Sequence, residues 1–258
     1  MATWILLRGL TRESGHWGDF LPLCQQTYPD DVVLPLDFPG SGVWHHQASP
    51  WTVPAMMQHA RTQLADRGFK PPYCVLALSM GAMVSMAWAQ AYPAEISRQV
   101  LINTSLRPVS PFYERFQPQN VATLGRLLLS GGDTDAWEHA IWRMTSRLSD
   151  PAVVKNWVKL RQLHPVTTMN ALRQLWAAAR FAAPDLPPSV PTLLLASTHD
   201  SLVCVQCSRS LAKRWHWPLV EHPAAGHDLP LDDGPWVLEH MLGWANMIAV
   251  SANIHPRS

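Results

Sequence analysis

The chain has 258 residues, 47% of them hydrophobic, and its 20 lysines and arginines nearly balance 19 aspartates and glutamates. This length can bury one substantial core, as a single large α/β domain or as one domain carrying an insertion. The formal charge of +1, with no long basic run, excludes the charge pattern of a nucleic-acid-binding protein and favours small-molecule or protein partners.

The opening segment MATWILLRGL contains no basic leader, and its apolar run is too short for a signal peptide or a membrane span. We therefore expect a cytoplasmic protein without a membrane-spanning helix.

Short apolar runs recur along the chain, and most of them are continuous rather than alternating, which is typical of parallel strands covered on both faces. Helical patterns separate them, so the sequence predicts a mostly parallel α/β sheet with helices on both faces. The predicted strands are 4–7, 32–36, 74–78, 100–102, 192–196 and 219–220. The predicted helices of this sheet are 16–28, 53–67, 80–92, 205–215 and 235–250.

One interval, from about Pro108 to Pro188, contains helix-like segments but no convincing strand. Proline clusters, RPVSP before it and APDLPPSVP after it, suit hinges because proline stops helices and stiffens linkers. We expect residues 1–107 and 189–258 to form the core domain and residues 108–188 to form an inserted helical cap. Its predicted helices are 121–129, 135–148, 152–163 and 167–182.

The stretch YCVLALSMGAMVSMAWAQAYP places Ser79 between a predicted strand and a predicted helix. Serine is a common helix N-cap, so a purely structural role is one interpretation. The other is a nucleophile elbow, in which a sharp turn exposes the serine beside the first amides of the helix. The small residues Ala77 and Gly81 favour the elbow, although the usual pattern has glycine at the first of these positions.

A nucleophilic serine needs a base, and the base needs a partner that fixes its tautomer. Asp200 follows the predicted fifth strand and His227 follows the last one. Either residue alone is an ordinary turn residue, but the order Ser79, Asp200, His227 at three predicted strand ends is that of the α/β-hydrolase triad. The strand before the insertion offers Asn103 and Thr104 and no alternative carboxylate.

The four cysteines are too few and too scattered for a disulfide framework. Cys204-x-x-Cys207 has no second cysteine pair or histidine pair at ligand spacing, so we interpret it as two half-buried thiols on one helical face. The sequence predicts no metal site and no cofactor.

With these motifs the sequence resembles the α/β-hydrolase superfamily, in its group of small cap-bearing esterases. LLRGLTRESGHW is similar to the first-strand loop, with Arg8 where the family usually has histidine, and PLDFPGSGVW is similar to the D-x-P-G-x-G loop that shapes the pocket floor. The resemblance implies an oxyanion hole formed by the backbone N–H groups of Leu10 and Met80.

The resemblance also implies ester hydrolysis through an acyl-serine intermediate, without a cofactor. The alternatives on the same fold are a thioesterase, a C–C hydrolase, a haloperoxidase-like enzyme, a hydroxynitrile lyase and a non-catalytic receptor. The methyl-ester esterases of biotin synthesis are one niche, which would make an acyl-carrier-protein conjugate the partner. Arg8, Trp137 and Trp142 are candidate substrate-binding residues, and three further aromatic residues, Phe112, Phe116 and Trp157, are candidates for an acyl pocket or for the core.

Overall fold

The computed structural model describes residues 1–129 and 133–254, which form a six-stranded, fully parallel sheet with strand order β2-β1-β3-β4-β5-β6. The predicted parallel α/β architecture is therefore confirmed. The strands are β1 (Thr3–Leu7), β2 (Val32–Leu36), β3 (Tyr73–Leu78), β4 (Ile96–Ile102), β5 (Thr192–Ser197) and β6 (Leu219–His222).

Helices cover both faces of the sheet. One face packs on α2 (Val53–Asp66), α3 (Met80–Ala91) and α9 (Gln206–Trp215), and the other packs on α1 (Phe20–Thr27) and α11 (Gly234–Ile254). Successive strand residues alternate between the two cores, because side chains along a strand point to opposite faces. Burial on both sides explains why the strands read as continuous apolar runs. None of the described helices is long and apolar enough to cross a membrane.

Five helices lie between β4 and β5, and the described part of this interval adds no strand to the sheet. They are α4 (Phe112–Arg115), α5 (Gln119–Leu129), α6 (Thr134–Thr145), α7 (Val153–Leu163) and α8 (Thr168–Arg180). The Asp133 side chain caps α6 by accepting from Asp135 N and Ala136 N, and the Thr167 hydroxyl caps α8 by accepting from Asn170 N.

Several predicted boundaries are wrong. The predicted helix 16–28 is a 3-10 turn, Ser14–Trp17, followed by α1, and the break falls at Gly18 with φ +47°. The predicted helix 135–148 ends at Thr145. Cys204 precedes α9 rather than sharing its face with the buried Cys207.

Candidate active site

Ser79 occupies the turn between β3 and α3, with φ +57° and ψ −115°. A positive φ is uncommon for a residue with a side chain, and such strained residues cluster at functional sites. The surrounding backbone holds it there: Ser79 N donates to Ile102 O at 2.9 Å, and its carbonyl accepts from Ala82 N at 3.1 Å and from Thr104 Oγ1 at 3.2 Å.

The turn is tight because its neighbours are small. A Cβ on Gly81 would lie 2.5 Å from Leu7 O and 2.7 Å from Arg8 O, so only glycine lets α3 approach the end of β1 this closely. A Cβ on Gly9 would lie 3.3 Å from Ser79 Cβ and 3.7 Å from Ser79 Oγ. The loop after β1 therefore lies directly beside Ser79.

Asp200 and His227 are bonded to each other in the loops after β5 and β6. His227 Nδ1 lies 2.7 Å from Asp200 Oδ2, and the two side chains are 6% and 1% exposed. The other carboxylate oxygen, Oδ1, accepts from Leu202 N at 2.7 Å and Val203 N at 2.9 Å. A carboxylate against Nδ1 fixes the proton on that nitrogen, which leaves the Nε2 lone pair free.

Ser79 and His227 line one cavity of about 880 Å³, together with Leu10 and Met80. Within the described residues Ser79 and His227 form no hydrogen bond with each other, as is common before a substrate is bound.

The amides predicted for the oxyanion hole lie beside Ser79. Met80 is the first residue of α3, so its N–H has no acceptor within the helix. Leu10 follows Gly9, and its N–H has no partner among the described residues. Next to it, Thr11 has φ +60° and donates its N–H to Gln174 Oε1 of α8 at 2.7 Å, which fixes the loop conformation.

Arg8, which stands where the resembled family has histidine, is 2% exposed and forms a bidentate ion pair with Asp228, the residue after His227. Nη1 lies 3.0 Å from Oδ1, Nη2 lies 2.5 Å from Oδ2, and the guanidinium lies over the Trp17 ring. Asp228 N donates to Thr145 O of α6 at 2.7 Å. The pair therefore ties together the β1 loop, the His227 loop and the helical interval.

Asn103 also holds the His227 loop, a role that the sequence does not indicate. It has φ +46°, and its Nδ2 donates to His227 O at 2.8 Å and Ser197 Oγ at 3.2 Å. Its Oδ1 accepts from Ser197 N at 2.8 Å.

The predicted aromatic residues divide into two groups. Phe112, Phe116 and Trp137 line the cavity. Trp142 and Trp157 are not among its lining residues: the Trp142 indole donates to Ser149 Oγ at 3.0 Å, and Trp157 is buried under the Arg12 guanidinium.

The D-x-P-G-x-G loop does not line this cavity either. The Asp37 carboxylate accepts from Ser14 N and Ser14 Oγ at 2.6 Å and from Val43 N at 3.1 Å. A Cβ on Gly42 would lie 2.0 Å from Asp37 Oδ2. The motif ties the loop after β2 to the loop after β1.

Asp232, which follows His227 in the chain, has structural partners. Asp232 accepts from Ser146 Oγ and Gly226 N, and it lies in a separate short helix, α10 (Leu229–Asp232). Among the described residues there is no group of three or more His, Cys, Asp or Glu side chains that could hold a metal ion.

A parallel sheet with a strained serine after its third strand and a bonded Asp–His pair after its last two strands defines an α/β hydrolase. The chain belongs to the family described as "Serine aminopeptidase, S33", whose model matches residues 53–233. A search of curated proteins found no match.

Solved structures support the fold at low sequence identity. A hydrolase from Pseudomonas aeruginosa PA01 has a TM-score of 0.74 at 19% identity, over 95% of this chain and 89% of its own. A thermophilic esterase from Thermogutta terrifontis also has a TM-score of 0.74 at 19% identity, over 96% and 90%. A 2-hydroxy-6-oxo-6-phenylhexa-2,4-dienoate hydrolase from Rhodococcus sp. strain RHA1 has a TM-score of 0.73 at 16% identity, over 93% and 90%. These matches do not single out the methyl-ester esterases of biotin synthesis.

Proposed function

We propose that the protein is a serine hydrolase that cleaves a carboxylic ester of a small molecule through an acyl-serine intermediate. The observation that carries the proposal is the 2.7 Å bond between His227 Nδ1 and Asp200 Oδ2. His227 lines the same cavity as Ser79, whose φ of +57° is uncommon for a residue with a side chain.

In the first step His227 Nε2 takes the Ser79 proton while Oγ attacks the ester carbonyl. The imidazolium that forms is stabilised by Asp200, and the tetrahedral oxyanion accepts from the Leu10 and Met80 amides. His227 then gives its proton to the leaving alcohol. Water repeats the sequence on the acyl-serine, which releases the acid and restores Ser79.

We further propose that residues 108–188 act as a cap that supplies the wall of the acyl pocket. Many of the cavity-lining side chains in this interval are apolar, including Phe116, Trp137, Ile141 and Met144. Burying an alkyl chain against such a wall contributes roughly 0.8 kcal/mol per methylene.

Ester cleavage is preferred to the other reactions of the same triad because an acyl group fits this apolar wall without a further catalytic group. That a structural neighbour is named an esterase is consistent with this choice.

The test is turnover of p-nitrophenyl butyrate by the wild type and by Ser79→Ala. Removing the nucleophile should lower kcat by at least about 10³-fold, whereas Ser105→Ala, a second serine that lines the cavity, should keep activity within a few-fold. Circular dichroism checks that both variants fold. Near wild-type turnover by Ser79→Ala would exclude Ser79 as the nucleophile.

A further inference from the structure

The wall of the active-site cavity carries an excess of positive charge. Five arginines line it, and its lining among the described residues includes a single carboxylate, Asp228, which is paired with Arg8. The five are Arg8, Arg12, Arg107, Arg115 and Arg161.

Arg12 and Arg161 share one buried acid. Arg12 Nη1 lies 2.5 Å from Glu138 Oε2, and Arg161 Nη1 lies 3.1 Å from Glu138 Oε1, so two guanidinium groups face one carboxylate that is 1% exposed. The next acid in this region, Glu13, is engaged at 2.9 Å by His164 Nδ1. Within the Arg12–Arg161–Glu138 cluster two positive charges therefore face one negative charge, and Glu13 bonds to His164 rather than to either arginine.

A donor in this cluster has no partner. Arg12 is 9% exposed, and its Nη2 is buried without a hydrogen-bond acceptor among the described residues. The other contacts of its guanidinium are His16 Nε2, at 2.8 Å from Nη1, and the Trp157 ring. Burial holds the pKa of His16 well below its ordinary value, so His16 is neutral and adds no charge to the cluster. A buried N–H left unpaired costs stability unless a ligand satisfies it.

Arg12 and Arg161 line the same cavity as Ser79, and the Arg12 backbone lies near the site of chemistry. Arg12 N donates to Gly9 O at 3.3 Å, which closes a tight turn whose ends are less than about 7 Å apart. Gly9 contacts Ser79. A group bound by this cluster therefore occupies the same cavity as an acyl chain attached to Ser79.

We infer that the cavity selects an acyl group carrying a second, anionic end, a carboxylate, which is attracted by the positive Arg12–Arg161–Glu138 cluster and accepts hydrogen bonds from those N–H groups of Arg161 that have no partner among the described residues. The inference rests on the proposed function and names its substrate class: monoesters of short dicarboxylic acids. Arginine suits this role because its planar N–H groups match a carboxylate and charge-assisted bonds are the stronger ones.

The test compares monomethyl adipate with methyl hexanoate, which have the same chain length and differ in the terminal carboxylate. Wild-type kcat/KM should favour the adipate ester by about 10-fold or more. Arg12→Gln should reduce this ratio of kcat/KM values to about 3-fold or less. Arg161→Gln should also lower the ratio, and because the Arg161 side chain is 22% exposed, this variant is the safer one for folding. Arg143→Gln makes the same charge change on the exposed side of α6, outside the cavity lining, and should leave the ratio unaltered.

Binding of monomethyl adipate to Ser79→Ala, measured by calorimetry, separates this inference from the proposed function. Binding that the added Arg12→Gln change weakens, together with no ester turnover by the wild type, would support the anion site and refute the hydrolase. Ester turnover with equal rates for both esters in the wild type, or a ratio that Arg12→Gln and Arg161→Gln leave unchanged, would overturn the anion site and leave the hydrolase standing.

Discussion

The buried Arg8–Asp228 pair should be one of the most sensitive points of the molecule. The two side chains are 2% and 5% exposed, so Arg8→Met leaves the Asp228 carboxylate in the interior without its cation. Breaking such a pair costs about 3–5 kcal/mol of unfolding free energy. At about 2–4 °C per kcal/mol for a domain near this size, the Tm should fall by roughly 6–20 °C.

Urea unfolding followed by tryptophan fluorescence measures this loss directly. The double variant Arg8→Met/Asp228→Asn removes both charges and should recover to within about 2 kcal/mol of the wild type. The matched control is Arg61→Met: Arg61 also contacts Glu95 through two N–H groups, but both side chains are more than 20% exposed, so the loss should stay below about 1 kcal/mol. If the double variant is as unstable as Arg8→Met, the reasoning from an unpaired charge is wrong.

Three further predictions concern the cavity wall, a buried histidine and the thiols. Across p-nitrophenyl esters from acetate to decanoate, kcat/KM should rise and then drop; Trp137→Ala should move the drop to longer chains, and Trp142→Ala should not, since only Trp137 lines the cavity. An unchanged profile in Trp137→Ala would remove it from the pocket wall. Because burial, and next the charge of Arg12, lower the pKa of His16 from its ordinary 6.5, the unfolded chain binds the proton more tightly. The unfolding free energy should therefore fall as the pH drops from 7 to 5, by up to about 1.4 kcal/mol per pH unit, and equal slopes in His16→Gln would contradict this. Burial raises the pKa of the Cys207 thiol to about 12, so iodoacetamide at pH 8 should label the partly exposed Cys204 first, as peptide mass spectrometry can test.

Strand patterns in the sequence predicted the sheet because the central strands β1, β3 and β5 are buried on both faces. The start of β4 was missed because Ser97, Arg98 and Gln99 read as polar, although Gln99 is fully buried and bonded to Ser85 Oγ and Thr192 Oγ1. Buried polar residues with internal partners cannot be recognised from local pattern alone.

In the candidate site, too, some residues could be predicted from the sequence and others could not. Ser79, Asp200 and His227 each follow a recognisable strand, so the sequence indicated all three. The Arg8–Asp228 pair joins residues 220 positions apart, and Arg12 meets Glu138 across 126 positions. No local pattern links such partners, so these contacts required the structure.

The most direct test of the account is labelling with a fluorophosphonate, which reacts with an activated serine and not with an ordinary hydroxyl. The folded wild-type protein should take up one adduct, peptide mass spectrometry should find it on Ser79, and Ser79→Ala should take up none. Folded wild-type protein that stays unmodified in excess reagent, or an adduct that persists in Ser79→Ala, would contradict the assignment of Ser79 as the nucleophile.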